Sequence, residues 1–198
     1  MLDAAGEVFS EKGFEAATLA EVVARSGGSL STLYELFGNK SGLLAATVGE
    51  RCERFSNVIE GATFSRDDPR TILCEVGRYL LDQMTQPDGI ALMRIIIAES
   101  PRHPELGRQF YESGPETGRR TMARFLSRLT ERGLLDVDHP ETAAVHFFHM
   151  LVGELQIRLL CALAIDGYAT QEHLDRTVDA FLRLYAPRAN DVAPSSLS

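Results

Sequence analysis

Met122, Phe125, Leu126 and Leu129 stand at i, i+3, i+4 and i+7, the spacing that lays apolar side chains along one face of an α-helix. The same interval recurs in Leu30, Leu33, Tyr34 and Phe37, and in looser form in Leu2, Ala5, Val8 and Phe9. No stretch alternates apolar and polar residues convincingly enough to read as a strand. An all-α fold is expected, with three short helices and the start of a longer one in the first fifty residues and a larger helical body after them.

Helix boundaries can be read from caps. Gly13, after Glu11-Lys12, reads as a left-handed cap ending the first helix. Thr18 and Glu21 have the spacing of a capping box for the second. Gly27-Gly28 ends that helix, Ser29 caps a third, and Asn39 caps a fourth expected to run from Lys40 to about Ile59. Asp68-Pro69 opens a helix to about Thr85. Residues 86–89, Gln-Pro-Asp-Gly, should separate it from a helix through Arg94 to Glu99, and Pro101 and Pro104 frame the next turn. Leu106 to Tyr111 is expected to be helical, with Gly114-Pro115 kinking or breaking it. Asp138 to Glu141 reads as a second capping box, opening a helix to about Ala164, and Thr170 caps the last, to about Tyr185. There is no internal repeat.

Composition narrows the function classes. The 198 residues carry a formal net charge of -8 and are 44% hydrophobic. That is ample apolar material for a core, and a poor match to a membrane-surface or bulk nucleic-acid coat protein. Cys52, Cys74 and Cys161 are odd in number and far apart, which suits free thiols in a reducing, cytoplasmic setting. The N-terminus has no basic region followed by an apolar core, so no secretory leader is expected. The most apolar region, Met150 to Ile165, is interrupted by Glu154, Gln156 and Arg158 and is too short to span a bilayer. Arg120, Arg124, Arg128 and Arg132 recur every four residues, as on a solvated helix face.

Residues 143 to 163 place apolar groups around most of a helical circumference. Such a helix needs neighbours on more than one side. The chain's own core supplies one. A second copy of the chain supplies the other, with Leu174, Val178, Phe181, Leu182 and Tyr185 of the last helix completing a four-helix homodimer interface. The alternative is a central buried helix in a monomer.

The segment from Ser26 to Lys40 has the rhythm of a helix-turn-helix, yet its second helix carries Glu35 and no Lys or Arg before Lys40. Residues 1–50 hold three cations (Lys12, Arg25, Lys40) against seven carboxylates. Contact with DNA would therefore rest on short polar side chains and helix N-termini. Thr18, Thr32, Tyr34 and Lys40 are the phosphate candidates; Ser29, Leu30, Ser31 and Glu35 are the base-reading candidates. Leu30 can touch a thymine methyl, and Glu35 can accept from a cytosine amino group. Each polar residue has a plainer role as a cap or an exposed side chain.

The elements Ala4-Ala5, Phe9 and Lys12-Gly13-Phe14, then Thr18, Ser29, Thr32-Leu33-Tyr34, Phe37 and Lys40, resemble in their spacing the N-terminal domain of the TetR family of transcriptional repressors. The stretch from Arg94 to Glu116, with Arg132 to Ala144, is similar to the AefR-like subgroup. The resemblance implies a helix-turn-helix DNA-binding domain over 1–48 and a helical ligand-binding and dimerisation domain over 49–186; by composition, residues 187–198 are expected to be a polar, disordered tail. It implies a homodimer joined through the last two helices, with one recognition helix per subunit reading a palindromic double-stranded operator. A small apolar effector in the larger domain would release the DNA. Gly28 stands where many relatives have Val, and Leu30 where Lys is frequent.

Candidate effector contacts are Tyr79, Gln83, Met84, Met93, Phe110, Phe148 and Leu151, each of which can equally be plain core, together with His146 and His149. The two histidines, with Glu99, could hold a metal, but no Cys or further His stands at metal-site spacing, and neither a metal nor another cofactor is expected. Cys74 and Cys161 are candidates for a redox switch, set among apolar neighbours that dull a thiol. No Gly-rich phosphate loop or triad order points to an enzyme. The rival to a repressor is a dimeric scaffold of the same fold that binds a small molecule or a protein and leaves DNA alone.

Overall fold

The computed structural model describes residues 1–65 and 68–187. All but the first residue of the polar tail lies outside them. Ten α-helices and no strand occur among the described residues. Helix α1 spans Leu2–Ala16, α2 Leu19–Ser26, α3 Leu30–Phe37 and α4 Lys40–Ser65. In the body, α5 spans Pro69–Thr85, α6 Pro87–Glu99, α7 Pro104–Tyr111, α8 Thr117–Glu131, α9 Pro140–Leu160 and α10 Gln171–Leu184.

Local chemistry accounts for most boundaries. Thr18 Oγ1 accepts from the Glu21 amide at 3.3 Å while the Glu21 carboxylate accepts from the Thr18 amide at 3.1 Å, a complete capping box. Ser29 Oγ accepts from the Thr32 amide, Asn39 Oδ1 from Gly42, Asp68 Oδ2 from Thr71 and Thr170 Oγ1 from His173. Gly42 is required by closeness: a Cβ there would lie 2.0 Å from the Phe37 carbonyl oxygen, where α4 turns out of α3.

Several boundaries depart from expectation. Gly13 has φ 77° and ψ 173°, which is not a left-handed cap, and the chain makes a further turn to Ala16. The Ala17 amide then donates to the Gly13 carbonyl, and Phe14 and Ala17 are buried in the head. Helix α4 continues beyond Ile59 to Ser65. Residues 86–89 form no separate loop: Gln86 alone divides α5 from α6, because Pro87 takes the first helical position. Gly114-Pro115 does not break the chain; Glu112–Glu116 forms a π-helical turn that passes from α7 into α8. The box expected at Asp138–Glu141 is absent: His139 caps α9 without a side-chain bond, and Glu141 pairs with Arg119 of α8 instead. Helix α9 ends at Leu160, short of Ala164, since Ala162 takes φ 55°.

Two apolar cores result. The body core joins α5, α8, α9 and α10 through Val76, Leu126, Phe147, Leu151, Leu155, Val178 and Phe181. The head core joins Val8, Phe9, Val22, Leu33, Leu43 and Leu44. Leu92 and Ile96 of α6 and Leu106 of α7 are buried in that same head core. The helix-turn-helix is therefore welded to the body through α6 and α7 as well as through the continuous α4.

On α9, Phe147, Leu151, Leu155 and Leu159 face the body. Met150 and Ile157 face out, with 39% and 57% of their surface exposed. This two-sided apolar character matches the pattern expected from residues 143–163.

Candidate nucleic-acid interface

The N-terminus of α2 is closed by its own carboxylate. Glu21 accepts from the Thr18 hydroxyl at 3.0 Å as well as from its amide, and it pairs with Lys12. The hydrogen bond from Lys12, followed by those from Thr18, holds the Glu21 carboxyl down to about 2. Arg25 at the other end of α2 donates to both oxygens of Glu11, at 2.7 and 2.8 Å, and to Glu7 at 3.3 Å. That bond keeps Glu11 below the usual carboxylate range.

Lys40 is tied down as well. Its ammonium donates to the carbonyls of Glu15 at 3.1 Å and Ala17 at 3.2 Å, and lies over the Phe14 ring. All three cations of residues 1–50 thus have partners inside the head. The Lys40 ammonium gives two of its three N–H donors to the end of α1, leaving one for an external acceptor.

Helix α3 is held by one fully buried side chain, Leu33, with Phe37 half-buried beside it. Leu30, Ser31, Thr32, Tyr34, Glu35 and Leu36 are exposed. Ser29 and Thr32 exchange a hydroxyl contact of 2.9 Å in addition to the cap. Ser31, Tyr34 and Glu35 project with no protein partner described for them. Leu36 is the residue that sequence reasoning passed over: it is 65% exposed, more than any other large apolar side chain among the described residues. Its position off the i, i+3, i+4, i+7 stripe was the available signal. The space over Gly28 is taken by Met1, whose Cε lies 2.6 Å from where a Cβ would stand. The α2–α3 turn is thereby packed by the start of α1 in place of a side chain of its own.

This geometry, a short exposed helix set across a capped partner and backed by a long α4, coincides with what relatives carry. The family model for "Bacterial regulatory proteins, tetR family" matches residues 1–47, and that for "AefR-like transcriptional repressor, C-terminal domain" matches residues 71–187. The chain belongs to the TetR family of bacterial transcriptional regulators. Among curated relatives of this TetR-family regulator is the HTH-type transcriptional repressor ComR of Escherichia coli (strain K12), 26% identical over 93% of this chain and 86% of its own. A TetR-family transcriptional regulator from Mesorhizobium loti superposes with a TM-score of 0.84 at 28% identity, covering 93% of this chain and 94% of the other. The flavonoid-responsive regulator FrrA gives 0.70 at 32% identity, covering 95% and 96%.

In the body of the regulator the candidate effector residues fall into separate groups. Tyr79 stacks on Phe55 with centroids 5.9 Å apart, and Phe148 meets the same Phe55 ring edge-on at 6.2 Å. Met84 packs at the margin of the body core, and Leu151 is buried within it, its carbonyl bonded to His173. Met93 meets Gln156 through its sulfur at 3.5 Å. Phe110 packs on the head core, away from the aromatic group, and Gln83 is exposed. Phe55, on α4, joins Tyr79 and Phe148 and was absent from the candidates because its contacts come from α5 and α9.

His146 and His149 are exposed on α9, and His146 Nδ1 lies 2.7 Å from the Tyr185 hydroxyl. Among the described residues, no group of three His, Cys, Asp or Glu side chains is set to hold a metal. Cys161 is exposed just past α9, against the expectation of apolar neighbours, because the helix stops before it. Cys74 is half-buried, and burial raises its thiol. Burial, then the Glu53 charge, pushes the Cys52 thiol up to about 11. In the arginine row, Arg120 bonds Glu116 at 2.8 Å and Arg124 bonds Glu60 at 3.1 Å, as on a solvated, paired face. No helix among the described residues is long and apolar enough to cross a membrane.

Proposed function

We propose that this TetR-family regulator is a ligand-responsive repressor. It reads a palindromic operator as a homodimer and leaves it when a small apolar effector binds the body. The observation that carries the DNA reading is the outward surface of α3, where Ser31, Tyr34 and Glu35 are exposed and one buried leucine holds the helix. Base contacts come from Ser29, Leu30, Ser31 and Glu35. Phosphate contacts come from Thr32, Tyr34 and the remaining donor of Lys40; Thr18 drops out, because its hydroxyl and its amide both donate to the Glu21 carboxylate. With every head cation already partnered, counterion release is small and direct readout dominates.

The homodimer forms through α9 and α10, but not through the α10 stripe expected from the sequence: Leu174, Val178 and Phe181 are wholly buried in the chain's own body core and leave nothing for a partner. Gly153 supports the α9 contact. It sits mid-helix between the exposed Met150 and Ile157, and a Cβ there would meet nothing of the chain itself within 4 Å. Glycine costs about 1 kcal/mol relative to alanine in a helix interior. A second α9 crossing closely at that point gives the residue a purpose. The two recognition helices then address half-sites roughly 34–36 Å apart.

The effector class is a flat, apolar, aromatic molecule. FrrA responds to flavonoids and shares the whole fold. Phe55, Tyr79 and Phe148 supply stacking faces here. A ligand parting these rings displaces α4 and α5. Because Leu92, Ile96 and Leu106 are part of the head core, the shift reaches the reading helices. The effector must bind the DNA-incompetent state more tightly, or nothing moves.

Selection of bound sequences from a random duplex pool tests the reading. Enrichment of a palindrome, with release by planar phenolic compounds, supports it. The pairing of every head cation favours the second reading, a dimeric scaffold without DNA binding, and that scaffold would enrich no sequence.

A further inference from the structure

The exposed surface of α3 is more apolar than DNA-phosphate contact requires. Leu30 is 42% exposed and Tyr34 54%, and Leu36 exceeds both. Successive residues on a helix are about 100° apart, which puts Leu30 and Tyr34 on one flank of the outward face, Ser31 and Glu35 along its middle, and Leu36 beside Thr32 on the other flank. Leu36 is absent from both apolar cores. An isolated leucine at a surface is ordinary. This one stands on the eight-residue helix that reads DNA, where no side chain carries positive charge.

We propose that Leu36 is a specificity-determining residue that reads a thymine C5-methyl in the major groove, on the opposite flank of α3 from Leu30. This inference rests on the DNA reading proposed above. Two considerations favour a thymine methyl over the sugar–phosphate wall. Leu36 has no group to offer a phosphate. The methyl is also the apolar feature that the major groove presents at a base edge. Such contact draws affinity from desolvation, which suits a head with so few free cations.

The test uses the full-length protein and the duplex recovered by selection, resynthesised with uracil in place of thymine at one position at a time. Uracil removes the methyl and leaves charge and hydrogen bonding unchanged. At one thymine or more in each half-site, the unaltered protein should lose about fourfold in affinity, the value of one buried carbon group. Leu36→Ala should bind that thymine duplex and its uracil form equally, and Leu30→Ala should still discriminate between them. Because Leu36 is so exposed, the variant should keep its thermal midpoint. The proposal is overturned if no thymine shows this pattern, or if Leu36→Ala weakens binding to all sequences alike, as a sugar contact would. Recovery of no sequence at all would sink the DNA reading itself, and this inference with it.

Discussion

Lys40 lies over Phe14, its ammonium 4.7 Å from the ring centroid, with the carbonyls of Glu15 and Ala17 completing the seat. The first residue of α4 thereby locks the end of α1, and the cation has a role in the fold itself. Lys40→Met should destabilise the protein by about 1–2 kcal/mol, the scale of a charge-assisted hydrogen bond with a cation–π contact. Urea unfolding measures this directly. A variant as stable as the parent would mean that the lysine is free to face the duplex.

The carboxylate on α2 can be neutralised without losing the cap, because glutamine also serves at the third position of a capping box. Glu21→Gln releases Lys12 from its partner. The parent protein should show a shallow salt dependence, with a log–log slope of magnitude below about 3, as for a few neutralised phosphates. The variant should steepen that slope by about 0.9 per subunit and bind random duplex more tightly. A gel-shift series at rising salt reads both. An unchanged slope would place Lys12 away from the duplex.

Glu21 also predicts an acid signature. Its carboxyl is held at about 2 in the folded protein, well below the ordinary glutamate range. A depressed carboxyl contributes stability that is present above its unfolded value and is lost as pH falls through the folded one. Stability should therefore decline between about pH 4.5 and 2, and Glu21→Gln should flatten its own share of that decline. Asp68, depressed by the Thr71 hydroxyl and amide, adds a separate share that remains in the variant. Thermal midpoints at pH 7, 4 and 3 for both proteins provide the comparison.

Gly153 offers a test in which stability and assembly move in opposite directions. Gly153→Ala should raise the helix propensity of α9 by about 1 kcal/mol while weakening the dimer. Gly153→Leu should give a folded monomer by sedimentation and lose operator binding. A Gly153→Leu protein that stays dimeric would put the interface elsewhere.

What could be read from the chain was what short-range chemistry decides. Thr18 with Glu21, Ser29, Asn39, Asp68 and Thr170 each cap a helix through an amide three residues on, and each is legible from spacing alone. The box at Asp138–Glu141 has the same spacing and fails, because Arg119 from another helix claims Glu141. The proline at 115 suggested a break, but the chain absorbs it in a π-helical turn, with the Thr117 hydroxyl donating to the Glu112 carbonyl at 2.8 Å. On α3, the exposure of Leu30, Tyr34 and Glu35 was legible because they share a short helix with the buried Leu33. The engagement of Lys40 and the packing of Met1 over Gly28 depend on which elements meet, and residue spacing does not carry that information.

The three side chains that α6 and α7 lend to the head, Leu92, Ile96 and Leu106, bear on how such proteins can be rebuilt. Transplanting residues 1–47 onto another regulator's body transfers only part of what makes the graft fold. A chimera will keep its donor's binding preference where the recipient offers matching aliphatic groups at those three places. Where it does not, the transplanted head of this chain will be loose, because part of its core stays behind on α6 and α7.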